Sequence, residues 1–329
     1  MTSAVGAAQK PLPRRIILSR KGLDSKAGGL ASPILAGDKL LSLPIPDCGT
    51  GICYNDLKSS VLPHGTIGKM LNDLSGDPHF SEREVHLDPD LQEHVIERKY
   101  PFRAAFGQCG SEQSHLDNAK YGAVSDIDNT DLFLFFGYFR SVDYDKANNR
   151  QRYEGERLHV IHSWMQVGNV HRIYSYPNGW SSHPHGAPSF LVRTDQQRRK
   201  PQNRNNTIYT PRERLTFNPG IPGHGVFSSL HPVLQITDPD GRYRTEWRLP
   251  AFFYEKLSHL GKAEWRQDGS HCYVTQRGYG QEFIFNSFGH PETHAQVRDW
   301  LAGFPFCALA ERPAGRATTV ARRVGAGKG

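Results

Sequence analysis

The sequence predicts a mixed α+β fold with a strand-rich core, and three observations carry that expectation. Gly and Pro are plentiful, at 32 and 22 of 329 residues, which suits many short strands joined by turns and not a helical bundle. Residues 131–140 and 158–170 are aromatic and β-branched runs that read as the clearest strands. Helical patterning is sparse and peripheral. Its best instance runs from His290 to Phe304, with Val297, Trp300 and Leu301 on one side.

Residues 1–14 read as a disordered arm. Arg15-Ile-Ile-Leu-Ser is expected to open the fold as a strand, and Leu40-Leu-Ser-Leu-Pro-Ile-Pro to follow as a second, ended by its prolines. Their closeness suggests a hairpin or an early sheet edge. Residues 54–99 look mixed and partly helical, with Asp88-Pro-Asp-Leu as a helix start. Residues 106–116 read as a turn into a short helix ending near Asn118. The run 131–140 lacks polar alternation, as a strand buried on both faces should. Residues 141–157 mix acids and bases and read as a solvated loop, and Gly168 marks a bulge in the next strand. Residues 174–206 read as loop. Short strands return near 206–209, 226–228 and 234–237, and Asp238-Pro-Asp-Gly is a turn. Arg248-Leu-Pro-Ala-Phe-Phe starts a helix, and Gln281-Glu-Phe-Ile-Phe-Asn is a late strand. Residues 310–329 read as a disordered basic tail. One domain, 15–309, is expected between the tails.

The chain carries 40 Lys and Arg against 33 Asp and Glu. The excess equals the cations at the two ends: Lys10, Arg14 and Arg15 at one, Arg316, Arg322, Arg323 and Lys328 at the other. The body is thus near neutral, and net charge does not mark a nucleic-acid surface. Five scattered cysteines read as free thiols of a reducing compartment. Cys48 and Cys53 are close enough for a metal or a disulfide, yet no second pair completes a zinc site. No apolar run reaches about 18 residues and no secretory leader is legible. A soluble cytoplasmic protein without a membrane partner is expected.

Phosphate-loop, nucleophile-elbow, zinc-protease and dinucleotide-binding signatures are all missing. The chemistry-bearing candidates are local. Ser19-Arg-Lys-Gly-Leu-Asp follows the first strand, so Arg20 and Lys21 could cradle a phosphate, with Asp24 as an acid beside them; the alternative is an exposed turn with solvated charges. His115 sits after a Gly/Gln/Ser segment and suits general acid–base work, or caps a helix. His183 and His185 flank a proline and share one side of an extended chain, as metal or substrate ligands or as chance neighbours. Asp88, with Asp90, is either a carboxylate pair that meets metal or substrate or a helix N-terminal pair. Glu282 opens an apolar strand, as a carboxyl of raised pKa or as an ion-pair partner for Arg248. Gln108, Arg248 and Gln281 complete the set expected to touch substrate.

Several segments recur together in order: Ser19-Arg-Lys-Gly-Leu-Asp-Ser, Leu41-Ser-Leu-Pro-Ile-Pro, His86-Leu-Asp-Pro-Asp-Leu, Phe106-Gly-Gln, Ser114-His-Leu and Asp131-Leu-Phe-Leu-Phe-Phe-Gly. His183-Pro-His, Asn206-Thr-Ile-Tyr, Trp247-Arg-Leu-Pro and Gly280-Gln-Glu-Phe follow. Together they resemble the type-three nucleotide-modification-associated domain, a family of bacteria and phages, over residues 15–302. Leu23 stands where a larger aromatic is usual, and Gly278-Tyr lengthens the turn before Gly280. The resemblance implies a part in making or handling modified DNA bases. It implies nucleotide or DNA as partner, beside other proteins of a DNA-modification pathway. It names no cofactor and no catalytic residue. The strand pair within residues 131–170 is also similar to PUA-like and EVE-like barrels, which hold a nucleobase in a pocket; that likeness is of fold alone.

Two functions follow. One is an enzyme that modifies a nucleotide or base, with His115, Asp24 and Glu282 catalytic and Arg20 and Lys21 on phosphate. The other is a non-catalytic reader of a modified base, which needs an aromatic cage and few ionisable groups. Convergence of the charged candidates in one cleft favours the enzyme.

Overall fold

The computed structural model describes residues 10–47, 50–59, 61–62, 65–98, 102–172, 207–260, 263–276 and 280–306. Among them the chain forms β1 (Arg15–Arg20), β2 (Ser32–Leu35), β3 (Lys39–Leu40), β4 (Ile45–Pro46), α1 (Ile67–Ser75), β5 (Val85–His86), β6 (Phe106–Gln108) and α2 (Gly110–Leu116). It continues with β7 (Leu132–Asp145), β8 (Arg150–Arg172), β9 (Thr207–Pro211), β10 (His224–Val226), β11 (Glu246–Pro250), β12 (Trp265–Asp268), β13 (His271–Thr275), β14 (Glu282–Asn286) and α3 (His294–Ala302). The class is α+β, as expected.

The apolar run after Asp131 becomes the centre of the main sheet, because β7 has partners on both edges. The path runs β14-β1-β7-β8-β9-β6, with β10 also on β8. β1 lies parallel to the first part of β7 and antiparallel to β14. β2 lies parallel to β7 further along and antiparallel to β3; the second strand expected over residues 40–46 is split into β3, on β2, and β4, on β5, so it forms no hairpin with β1. A separate sheet, β11-β13-β12, covers one face.

Side-chain alternation sorts the core. On one face of the main sheet, Ile16, Leu18, Phe136, Trp164, Phe283 and Phe285 pack against Trp247 and Phe253 and against Val297 and Leu301 of α3. On the other, Ile17, Phe133, Phe135, Met165, Val167, Tyr209 and Ile284 enclose Phe106 and Leu116. A third cluster joins Leu23, Leu43 and Tyr54 to Ile67, Met70 and Leu71 of α1. α1 is started by Thr66, whose Oγ1 accepts the Lys69 N–H at 3.1 Å, and stopped by Gly76 in the left-handed region.

Several local expectations yield to tertiary partners. Asp88-Pro-Asp starts no helix: Asp88 accepts the Gly107 N–H at 3.0 Å, and Asp90 exchanges backbone bonds with Ala105. The helix expected from Arg248 shrinks to a single 3-10 turn, Ala251–Phe253, just after Pro250. Trp247 and Leu249 are buried in alternation and pair with β13, so Glu246–Pro250 is a strand. The stretch 141–157 is not a loop but the outer part of a β7–β8 ribbon, with Val142 opposite Tyr153 and an ion pair between Asp143 and Arg152. Gly168 does lie at a bulge. Leu12 is buried and Arg14 contacts Asp131, so packing begins before Arg15. Residues 1–9, 174–206 and 310–329 lie outside the described residues. No ladder joins β6 to β14 among the described residues, so the sheet they form is open and shows no PUA- or EVE-like barrel.

The start of the sheet is locked by charge. Arg15, 0 % exposed, meets Asp131, 1 % exposed, at 2.7 Å and donates to the Leu116 carbonyl at 2.8 Å. One guanidinium thereby ties β1, β7 and the end of α2. Breaking one side of such a pair leaves a buried charge unanswered. Asp131→Asn is expected to cost about 3 kcal/mol, read as a lower urea midpoint at unchanged slope.

Candidate functional site

β1 and β14 place Ser19 directly opposite Glu282. Ser19 Oγ donates to Glu282 Oε1 at 3.2 Å. Two residues on, and so on the same face, Lys21 brings its Nζ to 3.4 Å from that oxygen and 4.7 Å over the Phe106 ring. From β6, Gln108 Nε2 donates to Glu282 Oε1 at 2.6 Å. These side chains span the gap between β6 and β14, where backbone pairing is missing. Glu282 is fully buried, and its Oε2 is enclosed with no hydrogen-bond partner. Burial pushes its pKa above the ordinary carboxylate range against the pull of Lys21, Ser19 and Gln108.

The second carboxyl, Asp88, is near enough to feel the charge of Lys21. Burial alone would raise it, but the neighbouring His86, the charge of Lys21 and the Gly107 N–H together hold it below its usual value. His86 Nε2 is 3.7 Å from Asp88 Oδ2. Lys21 therefore serves two carboxyls whose ionisation is driven in opposite directions.

Lys21 and Asp88 also line a cavity of about 250 Å³ between the sheet and the α1 cluster. Ser42, His162 and Ser163 share its polar wall; Leu43, Leu57, Leu87 and Phe227 belong to its apolar wall. His162 is there because of a bulge. Phe135 pairs with Ser163 and Phe136 with Ile161, which leaves His162 as the extra residue of β8. Its Nδ1 lies 3.0 Å from Ser163 Oγ, and its buried Nε2 has no partner. Burial pushes its pKa down to about 3. Gly137 makes the approach of Lys21 feasible, since a Cβ there would stand 2.7 Å from the Lys21 carbonyl oxygen.

The remaining sequence candidates distribute as follows. Arg20, consecutive with Lys21, serves the opposite face, near Asp24, which against its burial is lowered by Ser25 and the Lys26 N–H and then by the charges of Arg20 and Arg244; Arg20 and Lys21 thus point to different faces of the sheet. Gln281 is exposed, and its N–H points to Glu112 Oε2 at 3.4 Å. Arg248 sits in the separate sheet opposite Tyr273, and Lys21 takes the ion pair with Glu282 that it was expected to make. Asp90 is clamped by Arg98 at 2.7 and 2.9 Å and so does not pair with Asp88. His115 stacks on His259 with ring centroids 3.5 Å apart and meets Ser258 Oγ at 2.8 Å. Burial, then His259 and Arg15, push it down to about 4. Ser258 accepts the Ile284 N–H at 2.8 Å, so His115 touches β14 beside the site and not in the cavity. His183, His185 and Cys48 lie outside the described residues. Among the described residues no group of three or more His, Cys, Asp or Glu is placed to hold a metal, and no helix is long and apolar enough to cross a membrane.

Sequence reading missed Ser19, His162 and Ser163. The signal was present: polar residues inside an otherwise apolar strand are more informative than apolar ones. A family model described as nucleotide modification associated domain 3 matches residues 15–286, from the first residue of β1 to the last of β14. The chain belongs to this family. No curated protein and no solved structure matches it. Membership associates the chain with nucleotide modification in general. All of Ser19, Lys21, Asp88, Gln108, His162 and Glu282 fall within this nucleotide modification associated domain, whereas α3 lies beyond the match.

Two outcomes are expected. Gly137→Ala should force the Lys21 backbone away and cost about 1–3 kcal/mol in chemical denaturation. His162 should also weaken the fold in acid. The unfolded chain takes up this proton near pH ~6.5 and the folded one only near about 3. Stability present at neutral pH is therefore lost progressively as the pH falls from the first value toward the second. His162→Gln should flatten that part of the thermal midpoint's pH profile.

Proposed function

We propose that the chain acts on a nucleobase or nucleoside held in the cavity above Lys21, as an enzyme of nucleotide modification. The observation that carries this reading is Lys21 and Asp88 together on the wall of that cavity, with Glu282 paired to Lys21. Ionisable groups whose environments drive their pKa values apart are the usual basis of acid–base assignments. The pKa of Asp88 is held down and that of Glu282 is pushed up. Lys21 acts on both through its charge and lines the cavity.

In this reading Lys21 is the group that meets substrate and holds or moves a proton at Nζ. Asp88 shares the cavity wall with it. Glu282 is enclosed behind Lys21 and acts through it, as a positioning residue. The apolar wall suits the faces of a base and the polar wall its edge. The cavity's 250 Å³ falls below the roughly 300 Å³ where most drug-sized sites begin, which suits a base or nucleoside better than several linked nucleotides. A reader built on an aromatic cage has less support: among the described lining residues Phe227 is the one Phe, Tyr or Trp.

The test is a mass measurement. The protein is incubated with bacterial and phage DNA and with a nucleotide mixture, the products are digested to nucleosides, and new masses are sought. A new nucleoside is expected from the wild-type chain and from Arg248→Gln, and none from Lys21→Met. A yield unchanged in Lys21→Met would sink the assignment. Tight retention of one modified nucleotide without any mass change would favour the reader.

A further inference from the structure

On the face of β1 opposite Lys21, His159 is 1 % exposed and packs edge-on against Phe136 and Trp247. Trp247 Nε1 can only donate, and it donates to His159 Nδ1 at 3.0 Å. Neutral His159 therefore carries its proton on Nε2. That N–H is enclosed and has no acceptor. Arg244 supplies a second such group, for its Nε–H is also enclosed and without an acceptor.

Short links hold the two together. The backbone N–H of His159 donates to Thr237 Oγ1 at 2.7 Å, and Thr237 Oγ1 donates to the Arg244 carbonyl at 2.8 Å. The Arg244 guanidinium lies 4.3 Å over the ring of Tyr138, the cross-strand neighbour of His159. Arg244 Nη2 donates to Ser25 Oγ at 2.9 Å, and Ser25 Oγ donates to Asp24 Oδ1 at 2.8 Å. Burial, then the charges of Arg244 and Arg20, push His159 down to about 3, so its neutral donor form persists. Ser25 is exposed and Arg20, Asp24 and Arg244 are half-buried, which opens the cluster to solvent on one side.

Buried donors without acceptors are costly, and both orphans here are donors. What completes them is an acceptor-rich anion. We propose that Arg244 and His159 form a phosphate-binding subsite with Arg20 at its rim, separate from the cavity above Lys21 and independent of the chemistry assigned there. A guanidinium fork beside a neutral N–H donor suits phosphate oxygens. The phosphate belongs either to a free phosphate or nucleotide or to the backbone of a DNA strand.

The test titrates the full chain with inorganic phosphate and, separately, with a single-stranded oligonucleotide, following the His159 Nε2–H resonance and the binding isotherm. At least one probe is expected to move that resonance. Arg244→Gln is expected to weaken the binding by about tenfold or more, whereas Arg248→Gln leaves it intact. Arg244→Lys, which keeps the charge and loses the fork, should fall between and serves as the readout if Arg244→Gln does not fold. Response to inorganic phosphate assigns a free phosphate group; response to the oligonucleotide alone assigns the strand backbone. If neither probe moves the resonance, or if Arg244 variants bind both as tightly as wild type, the subsite does not exist.

Discussion

A buried ion pair between Lys21 and Glu282, 3.4 Å apart, anchors the polar seam of this fold. Lys21 has little water around it, so its charge must be answered by protein groups; Glu282 pairs with it, and Asp88 lies near enough to feel its charge. Each depends on a different element. Glu282 comes from β14, in register with Ser19 of β1. Asp88 is held by the Gly107 N–H of β6. The ladder between β1 and β7 ends at Arg20 and Phe136, and Lys21 then turns away over Gly137, donating one last backbone bond to the Phe136 carbonyl. Strand length, register and one missing Cβ are thus all set by where that ammonium must go.

The same contact explains why the sheet remains open. β6 and β14 approach closely enough for Gln108 and Glu282 to touch at 2.6 Å, yet no ladder joins them. A closed barrel would use that space for backbone hydrogen bonds. Here α2 covers it: Tyr209 donates to Gln113, and Arg172 grips Asp117 just past the helix end. An interior otherwise made of Phe106, Phe133, Phe135 and Tyr209 thereby gains a polar seam next to a cavity.

The sequence made the strands legible where burial is continuous, as in residues 132–139 and 282–285. It misled where a local propensity competed with a distant partner. Asp88-Pro-Asp has the composition of a helix start, but Ala105 and Gly107, well downstream, claim its polar groups. Residues 141–157 are polar enough for a loop, and only the partner strand turns that polarity into cross-strand pairs. For the site, Lys21, Gln108, Glu282 and Asp88 could be named from local motifs. That they meet could not, because nearly the whole chain separates Lys21 from Glu282. Arg20, Asp24 and Arg248 were named on the same grounds and lie elsewhere, since spacing along a strand does not say which face a residue serves until the register is known.

That last point bears on how this gene can change. Arg20 and Lys21 are neighbours in the chain, yet one serves the His159 side of the sheet and the other the Glu282 side. Their division of labour rests on the parity of a six-residue strand. Gain or loss of one codon between Arg15 and Arg20 would exchange the two cations, turn Ser19 away from Glu282 and point apolar side chains toward both polar sites. Gain or loss of two would restore the faces while moving every contact along by one repeat of the pleat. Substitutions can accumulate in this strand one at a time, but its length is inherited as a unit.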